Sequence, residues 1–257
     1  MKLFDLSGKT AFVSGGSRGI GKAITLALAE AGANVAVGAR TKDTLDAVVA
    51  QISEIGVRGL AVKLDVTQID AIPAAMENVR VELGPIDILV NVAGTTLRQP
   101  LEEVEESGYD LIMNTNSKGP YFLAKAVRAS MVERGGGKII NVGSLTTGMG
   151  LPKATAYAAS KGALGQMTKG MAVELGPHNI QVNALAPGFI MTDLNAQLWD
   201  RQDFREWCID RTPARRPGTA EDMVGTAVFL ASAASDFVTG QVIYVDGGVM
   251  AGSVWPL

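Results

Sequence analysis

A strand, a glycine-rich turn and a helix follow one another near the start of the chain. We predict a buried strand at Thr10–Val13 and a helix at Lys22–Ala31, and between them Ser14–Gly21 reads Ser-Gly-Gly-Ser-Arg-Gly-Ile-Gly. Glycines let the backbone approach a pyrophosphate, and a helix N-terminus offers N–H groups and the positive end of its dipole. The order of these elements therefore predicts a phosphate-binding loop that opens a parallel α/β sheet.

Strands and helices continue to alternate through the first half of the chain. The pattern predicts strands at Val35–Val37, Gly59–Leu64 and Ile86–Val90, and helices at Thr44–Ile55 and Ala71–Leu83. A chain of 257 residues suits one large domain. We therefore predict an α/β fold: a single-domain, Rossmann-type, doubly wound parallel sheet with helices on both faces, its cofactor half in about 1–150 and its catalytic and substrate half in about 151–257.

Composition and charge argue against several other classes of protein. The net charge is −3 without a basic run, which argues against nucleic-acid binding. The single cysteine, Cys208, cannot form an internal disulfide, and the single histidine, His178, cannot anchor a histidine-rich metal site. No apolar run reaches the roughly 18 residues of a membrane span, and Met1–Leu6 lacks the apolar core of a signal peptide. We predict a cytoplasmic protein that needs no metal.

The segment after the second predicted strand bears on the choice of coenzyme. NAD-specific folds place an acidic residue about 20 residues beyond the glycine motif, where it holds the ribose hydroxyls. Gly38–Thr41 contains no acid and has Arg40 instead, and Arg18 in the glycine turn is a second basic group. Exposed arginines are common, but arginine also suits the 2′-phosphate. The sequence therefore favours NADP(H), with NAD(H) as the alternative.

Tyr157 and Lys161 stand four residues apart in a segment predicted to be helical. At that spacing the two side chains point about 40° apart around the helix axis, so both can reach one point. A phenol has a pKa of about 10, and a nearby ammonium favours its ionised form. The pair can therefore donate a proton to a carbonyl oxygen or accept one from an alcohol. Ordinary packing on a solvated helix is the alternative interpretation of this spacing.

Several motifs, in a fixed order, resemble those of short-chain dehydrogenases/reductases over essentially the whole chain. They are Ser14–Gly21, Asn91–Gly94, Asn116, Ser144 placed 13 residues before Tyr157, the Tyr157–Lys161 pair, and Pro187-Gly188. Three positions differ from the commonest residues of the family's motifs, namely Ser14, Val92 and Gly143. None of these departures removes a catalytic group, and Ser14 keeps a hydroxyl where threonine is usual.

The resemblance implies a role for each of four catalytic residues. Tyr157 is implied as the general acid and base, and Lys161 as the group that lowers the pKa of Tyr157 and holds the nicotinamide ribose. Ser144 would hydrogen-bond the substrate oxygen. Asn116, in a helix predicted from about Asp110 to Glu133, would order a water that relays the proton.

The same resemblance implies the residues that contact the coenzyme. Those around its phosphates are Gly15, Ser17, Arg18, Gly19, Ile20, Gly21 and Arg40. Those that border the adenine are Asp65 and Val66. Those beneath the ribose and nicotinamide are Asn91, Ala93 and Gly94, with Tyr157 and Lys161 at the ribose. Those against the nicotinamide are Pro187, Gly188 and Ile190, with Thr192 at its carboxamide.

Phrases elsewhere in the chain are similar to those of gluconate 5-dehydrogenases and related sugar-acid dehydrogenases. They are Arg98–Pro100, Gly135–Asn141, Asn179–Ala184 and Arg211–Arg215. On this resemblance Arg98 binds the carboxylate of an aldonate with help from Lys153, and Ser144 and Tyr157 bracket the carbon that is oxidised. Thr192–Gly218 would form the substrate lid, with its charges on the outer face of an amphipathic helix.

Two other functions stay open. A 3-oxoacyl-thioester (acyl-carrier-protein) reductase shares most of these motifs. A non-catalytic protein that only senses NADP would keep the fold, but such proteins usually lose the Tyr–Lys pair that this chain retains.

The predicted helix Ala154–Leu175 bears on assembly. An apolar stripe at helical spacing, most simply explained as core packing, is formed by Leu164, Met167, Met171 and Leu175. In the family that the chain resembles, the corresponding helix also packs against a second copy, which implies a homotetramer. We further expect the apolar tail Trp255–Leu257 to pack at a subunit interface near a neighbour's active site.

Overall fold

Seven parallel strands form one sheet in the computed structural model, which describes residues 2–192 and 195–252. They are β1 (Thr10–Ser14), β2 (Asn34–Ala39), β3 (Gly59–Lys63), β4 (Ile88–Asn91), β5 (Gly137–Val142), β6 (Ile180–Pro187) and β7 (Val242–Val245). Their order across the sheet is β3–β2–β1–β4–β5–β6–β7, and every neighbouring pair is parallel. This is a doubly wound sheet, and it confirms the predicted fold class.

Helices cover both faces of the sheet. Those in the described ranges are α1 (Gly19–Glu30), α2 (Lys42–Ile55), α3 (Ile72–Leu83), α4 (Glu106–Met113), α5 (Gly119–Glu133), α6 (Thr155–Leu175), α7 (Ala196–Trp199), α8 (Gln202–Arg211) and α9 (Val224–Ala231). One apolar core lies between the sheet and α1, α2 and α9, and a second lies between the sheet and α3, α5 and α6. Successive strand residues alternate between the cores, so that Val13 packs in the first and Phe12 in the second.

The order of strand addition reverses between β1 and β4. From β1 the chain adds β2 and β3 on one side and then places β4 on the other. The loops that leave β1 and β4 are joined at their base, where the N–H groups of Val92 and Ala93 donate to the Ser14 carbonyl at 3.0 and 2.9 Å. Beyond that point the loops diverge to form the crevice in which open α/β sheets bind their ligands.

One predicted helix is interrupted. The sequence predicts a continuous helix from about Asp110 to Glu133, but a π-helical turn at Asn114–Lys118 separates α4 from α5. A π turn contains an additional residue and so redirects its side chains, and such turns are frequent at functional sites. Asn116 is at the middle of this turn and its side chain is fully buried.

The start of α1 and the apolar stripe of α6 also differ in detail from the prediction. Helix α1 begins at Gly19 rather than Lys22, because the end of the glycine turn forms its first turn. On α6, Leu164 and Leu175 are buried, whereas Met167 and Met171 are only partly buried. In the part of the chain that the structure describes, no helix is both long enough and apolar enough to cross a membrane.

Candidate active site

Asn116 is held by three hydrogen bonds. Its Oδ1 accepts the N–H of Thr95 at 2.8 Å, and its Nδ2 donates to the Thr95 carbonyl at 2.9 Å and to Ser160 Oγ at 3.0 Å. The Ser160 hydroxyl in turn donates to the Tyr157 carbonyl at 2.7 Å. The Asn116 side chain therefore joins the loop after β4 to the helix that carries Tyr157.

Ser144 caps the short turn that follows β5. Its Oγ accepts the N–H of Thr146 at 3.2 Å, and its own N–H donates to Thr147 Oγ1 at 3.1 Å. Reciprocal bonds of this kind form a capping box. Because the Ser144 oxygen already accepts a hydrogen bond, its hydroxyl proton is the group left to point at another oxygen in the crevice.

Tyr157 lies in the first turn of α6 and interacts with Ser144 and Arg98. Burial raises the pKa of the Tyr157 phenol above its ordinary value, while hydrogen bonding with Ser144 and the positive charge of Arg98 lower it. Burial is the largest of the three effects, so the phenol keeps its proton at neutral pH. Arg98 is exposed, so a solvent-accessible cation lies near this proton donor.

Lys161 is a buried amine one turn further along α6. Its Nζ donates to the Val142 carbonyl at the end of β5 at 2.7 Å and lies 5.8 Å from the centroid of the Tyr157 ring. Burial lowers the pKa of Lys161 to about 8, so most of the amine is charged at pH 7. The family resemblance implies that Lys161 lowers the pKa of Tyr157. Because burial is the largest effect on that pKa and raises it, this role of Lys161 stays a prediction.

The turn between β1 and α1 has the geometry that a pyrophosphate needs. Gly15 has a φ of +73°, and a Cβ on it would stand 2.7 Å from the Ala93 nitrogen, so a larger residue would not fit. Arg18, the N-cap of α1, makes no capping bond with its side chain, and the first turn contains no acid. The N–H groups of Gly19–Gly21 therefore lack a side-chain cap, which fits an anion at this helix N-terminus.

The two arginines predicted to bind a 2′-phosphate stand at this end of the sheet. Arg40 follows β2 directly, and both Arg40 and Arg18 are exposed. Neither makes an ion pair within residues 2–192 and 195–252. Ser17 lies beside Arg18 and is partly buried. The residues present fit a phosphorylated coenzyme, since Arg18 stands at the uncapped helix end and Arg40 follows the strand that pairs with β1.

The residues predicted at the adenine form a turn of their own, and Gly94, predicted beneath the nicotinamide, lies beside Asn116 and Lys161. Asp65 folds onto its own turn, where its Oδ1 accepts the N–H and hydroxyl of Thr67 at 3.0 and 2.8 Å, and Val66 is buried. Gly94 borders the catalytic residues, because a Cβ on it would stand 3.4 Å from Asn116 Oδ1 and 3.7 Å from Lys161 Nζ. The backbone of Gly94 is thus a wall of the site.

Asn91 and Ile190 direct their side chains away from the crevice. Asn91 is 2% exposed and donates to Asn141 Oδ1 at 2.9 Å, and Asn141 donates to Thr168 at 2.9 Å. Ile190 is 5% exposed and packs in the first core. These side chains support the site from below, so any contact with a coenzyme would come from the backbone of these residues.

Thr192 and Gly188 lie at the far edge of the site. A Cβ on Gly19 would stand 3.7 Å from Thr192 Cγ2, so Thr192 lies over the phosphate loop. Its N–H and hydroxyl both donate to Asn195 Oδ1, at 2.9 and 3.1 Å. Gly188, which follows Pro187 at the end of β6, packs its backbone against Asp246.

The predicted lid contains α7 and α8, and residues 193 and 194 lie outside the described ranges. Three of its arginines form surface ion pairs, which are Arg201–Asp203, Arg215–Asp210 and Arg216–Asp222. Of these residues only Asp203 and Asp210 lie in α8, so the charged face of an amphipathic helix stays a prediction. Arg98, rather than one of these paired lid arginines, is the cation that acts on the Tyr157 phenol.

Comparison with known proteins identifies the family. The family model described as Enoyl-(Acyl carrier protein) reductase matches residues 15–250. The chain belongs to the short-chain dehydrogenase/reductase family. Membership confirms the resemblance drawn from the motifs and makes the chain an NAD(P)-dependent oxidoreductase that acts on CH–OH groups.

Several members of the short-chain dehydrogenase/reductase family are similar to this chain over almost its whole length. Gluconate 5-dehydrogenase of Gluconobacter oxydans is 42% identical, with 96% of each chain covered. The 3-oxoacyl-[acyl-carrier-protein] reductase FabG of Staphylococcus epidermidis is 39% identical, with 94% of this chain and 98% of the relative covered. The crystal structure of a gluconate 5-dehydrogenase from Burkholderia cenocepacia, in complex with NADP and tartrate, has a TM-score of 0.94 at 39% identity, with 98% of each chain covered.

The structure adds two residues to the site that the sequence reasoning missed, Ser160 and Thr147. Ser160 lies inside the Tyr157–Lys161 motif, but its bond to Asn116 joins residues 44 positions apart, which no local pattern indicates. The sequence did contain a signal for Thr147. Ser144 and Thr147 are three residues apart, which is the spacing of a capping box.

Proposed function

We propose that this short-chain dehydrogenase/reductase is an NADP(H)-dependent oxidoreductase that interconverts a secondary alcohol and a ketone on a sugar acid, with gluconate and 5-ketogluconate as the first pair to test. The observation that carries the proposal is that Asn116 and Lys161 meet at the Gly94 backbone, with Lys161 Nζ 5.8 Å from the Tyr157 ring. The Ser144 hydroxyl and the Arg98 charge both lower the pKa of the Tyr157 phenol. A proton donor, a second hydroxyl and a carboxylate receptor then meet within one site. The similarity to a gluconate 5-dehydrogenase supports the same assignment.

The catalytic residues have complementary tasks in the direction of ketone reduction. NADPH supplies the hydride when it is bound. The Ser144 hydroxyl proton orients the substrate oxygen, and the Tyr157 hydroxyl donates its proton to that oxygen as negative charge develops there. Lys161 uses one N–H on the Val142 carbonyl and keeps its other N–H groups for the ribose hydroxyls.

Asn116 is proposed to hold the relay water through one of its oxygen atoms. Its Nδ2 protons are both engaged, one by the Thr95 carbonyl and one by Ser160. Any relay water would therefore bond to an acceptor, either the remaining lone pair of Oδ1 or the Asn116 carbonyl.

Arg98 is proposed to receive the substrate carboxylate. Arginine binds carboxylates through two parallel hydrogen bonds, and Arg98 is exposed on the loop after β4. The next residue, Gln99, donates its N–H to the Lys153 carbonyl at 3.1 Å, and Lys153 has a φ of +59°. This bond joins the Arg98 loop to the segment that enters α6. It therefore holds the Arg98 guanidinium in a fixed position relative to Tyr157.

Replacing Arg98 with Met is expected to raise the KM for 5-keto-D-gluconate by about 10- to 100-fold, because a charge-assisted hydrogen bond contributes about 1.5–3 kcal/mol. NADPH oxidation is followed at the nicotinamide absorbance band. Arg80→Met, which removes an exposed arginine from α3 outside the predicted lid, serves as the matched control and should leave the KM unchanged.

The same assay separates the sugar-acid function from its main alternative. Wild-type turnover of 5-keto-D-gluconate with an Arg98-dependent KM supports the proposal. A kcat/KM for a 3-oxoacyl thioester higher than that for 5-keto-D-gluconate would favour the thioester reductases instead. The same assignment requires that Arg98→Met leave the KM for 5-keto-D-gluconate unchanged.

Coenzyme choice is proposed to depend on Arg40 and Arg18, with NAD(H) as the weaker substrate. Arg40→Gln should raise the Kd of NADPH by about 10- to 100-fold, because a charged partner of the 2′-phosphate is lost, and should leave the Kd of NADH almost unchanged. Lys42→Gln is the matched control, because Lys42 stands 3.9 Å from Asp46 and is already paired. Fluorescence titration measures both constants. An equal loss for both coenzymes would contradict the proposed role.

Assembly as a homotetramer and a cytoplasmic location are parts of the same proposal. Val173 is exposed on α6, the helix that the family is expected to use for pairing, and large apolar side chains are also exposed on α4 and α5, namely Tyr109, Leu111 and Tyr121. Light scattering should therefore give a mass of four 26.8-kDa chains. The tail Trp255–Leu257, expected at an interface, lies outside the described residues.

A further inference from the structure

Thr147 occupies a space between two glycines on different elements. A Cβ on Gly143, just after β5, would stand 2.8 Å from Thr147 Oγ1. A Cβ on Gly165, in α6, would stand 2.5 Å from Thr147 Cγ2. Real Cβ atoms essentially never approach another atom so closely, so both positions need glycine while threonine is present at 147.

The hydroxyl and the methyl of Thr147 have separate partners. The hydroxyl oxygen accepts the Ser144 N–H at 3.1 Å, and it stands where a side chain on Gly143 would be. The methyl packs on Gly165, which is one helical turn beyond Lys161 and on the same face of α6. Thr147 therefore touches both the backbone of Ser144 and the helix that carries Tyr157 and Lys161.

We propose that Thr147 is a positioning residue that sets the distance between the Ser144 hydroxyl and the catalytic face of α6. The inference deepens the proposed function and rests on it for the roles of Ser144 and Tyr157. It also explains the glycine at 143, where the family more often has serine. The hydroxyl of Thr147 fills the space that a side chain at 143 would take, and it accepts the N–H of Ser144.

A crossed set of double variants tests this geometry. Gly143→Ala and Gly165→Ala are each expected to lower kcat for 5-keto-D-gluconate by about 10-fold or more, since a shift of about 1 Å in a catalytic group can cost up to about 100-fold. Thr147→Ala removes both contacting atoms, so neither glycine change should lower kcat further in that background. Thr147→Ser removes only the methyl, so it should relieve Gly165→Ala and leave Gly143→Ala impaired.

Gly225→Ala in α9 is the control for a glycine-to-alanine change, because no atom lies within 4 Å of a Cβ there. The Kd of NADPH should change far less than kcat in every variant, because the phosphate loop is not touched. A loss of melting temperature with an unaltered kcat for the folded enzyme would show a merely structural role. Equal losses of kcat from the glycine changes whichever residue stands at 147 would overturn the proposal.

A second readout keeps this test independent of the substrate. Ultraviolet titration of the phenolate, with each variant compared to the same variant carrying Tyr157→Phe, reports the pKa of Tyr157. Because hydrogen bonding with Ser144 lowers that pKa, displacing Ser144 should raise it in Gly143→Ala and leave it unaltered in Gly225→Ala. A wild-type enzyme inactive on 5-keto-D-gluconate would defeat the proposed function, and the titration would still decide the role of Thr147.

Discussion

Replacing Tyr157 with Phe is expected to lower kcat by about 10²- to 10⁴-fold, the usual contribution of a general acid. The phenol is the proposed proton donor, and burial raises its pKa, which keeps the proton in place at neutral pH. Phe keeps the ring and its packing, so the loss is confined to the proton transfer. The measurement is NADPH oxidation at saturating 5-keto-D-gluconate.

Two further measurements make the result of Tyr157→Phe interpretable. The melting temperature should be that of the wild type, and the Kd of NADPH should rise far less than kcat falls, because Tyr157 is only one of the predicted coenzyme contacts. These results would show that the fold and the phosphate loop are intact. Tyr109→Phe removes an exposed hydroxyl from α4 and should retain full activity. Retention of more than about a tenth of the activity by Tyr157→Phe would reject the phenol as the general acid and would revive the non-catalytic sensor as an alternative.

Replacing Lys161 with Met is expected to abolish most turnover and yet to stabilise the protein at pH 7. Burial lowers the pKa of Lys161 from 10.5 to about 8, so folding disfavours the charged form by roughly 3 kcal/mol. Loss of the charge-assisted hydrogen bond to the Val142 carbonyl costs about 1.5–3 kcal/mol. The free energy of unfolding is therefore expected to rise by up to about 1.5 kcal/mol at pH 7.

The sign of the pH dependence follows from the same shift. Because the folded pKa lies below the unfolded value, the unfolded chain binds more protons between pH 8 and 10.5, and the wild type becomes more stable as the pH rises through that window. The advantage of Lys161→Met should accordingly be fully present below pH 8 and gone by pH 10.5. Denaturant unfolding without coenzyme measures it, with the exposed Lys169→Met on α6 as control. An equal change in the free energy of unfolding of Lys161→Met at pH 7 and at pH 10.5 would contradict this account.

The site could be predicted from the sequence where its signals are local. The glycine turn and the Tyr157–Lys161 pair lie within single elements, so their spacing is enough to place them. The reversal of strand order at β1 and β4 was predictable as well, because the alternation of strand and helix allows few parallel topologies. The side chains of Asn91 and Ile190 point into the interior although their motifs are right, because the strand pleat and the adjacent packing decide which way a residue faces.

The sequence by itself determined the fold class and, through several motifs in a fixed order, the family, and the resemblance to that family implies the four catalytic residues. Only the tertiary structure decided how those residues are held. The π turn at Asn116 is fastened to Thr95 and Ser160, and Thr147 is enclosed by Gly143 and Gly165. The contacts of Asn116 with Ser160 and of Thr147 with Gly165 join segments that are distant in the chain. They form only when α6 packs against the sheet and the buried polar groups must find partners away from water.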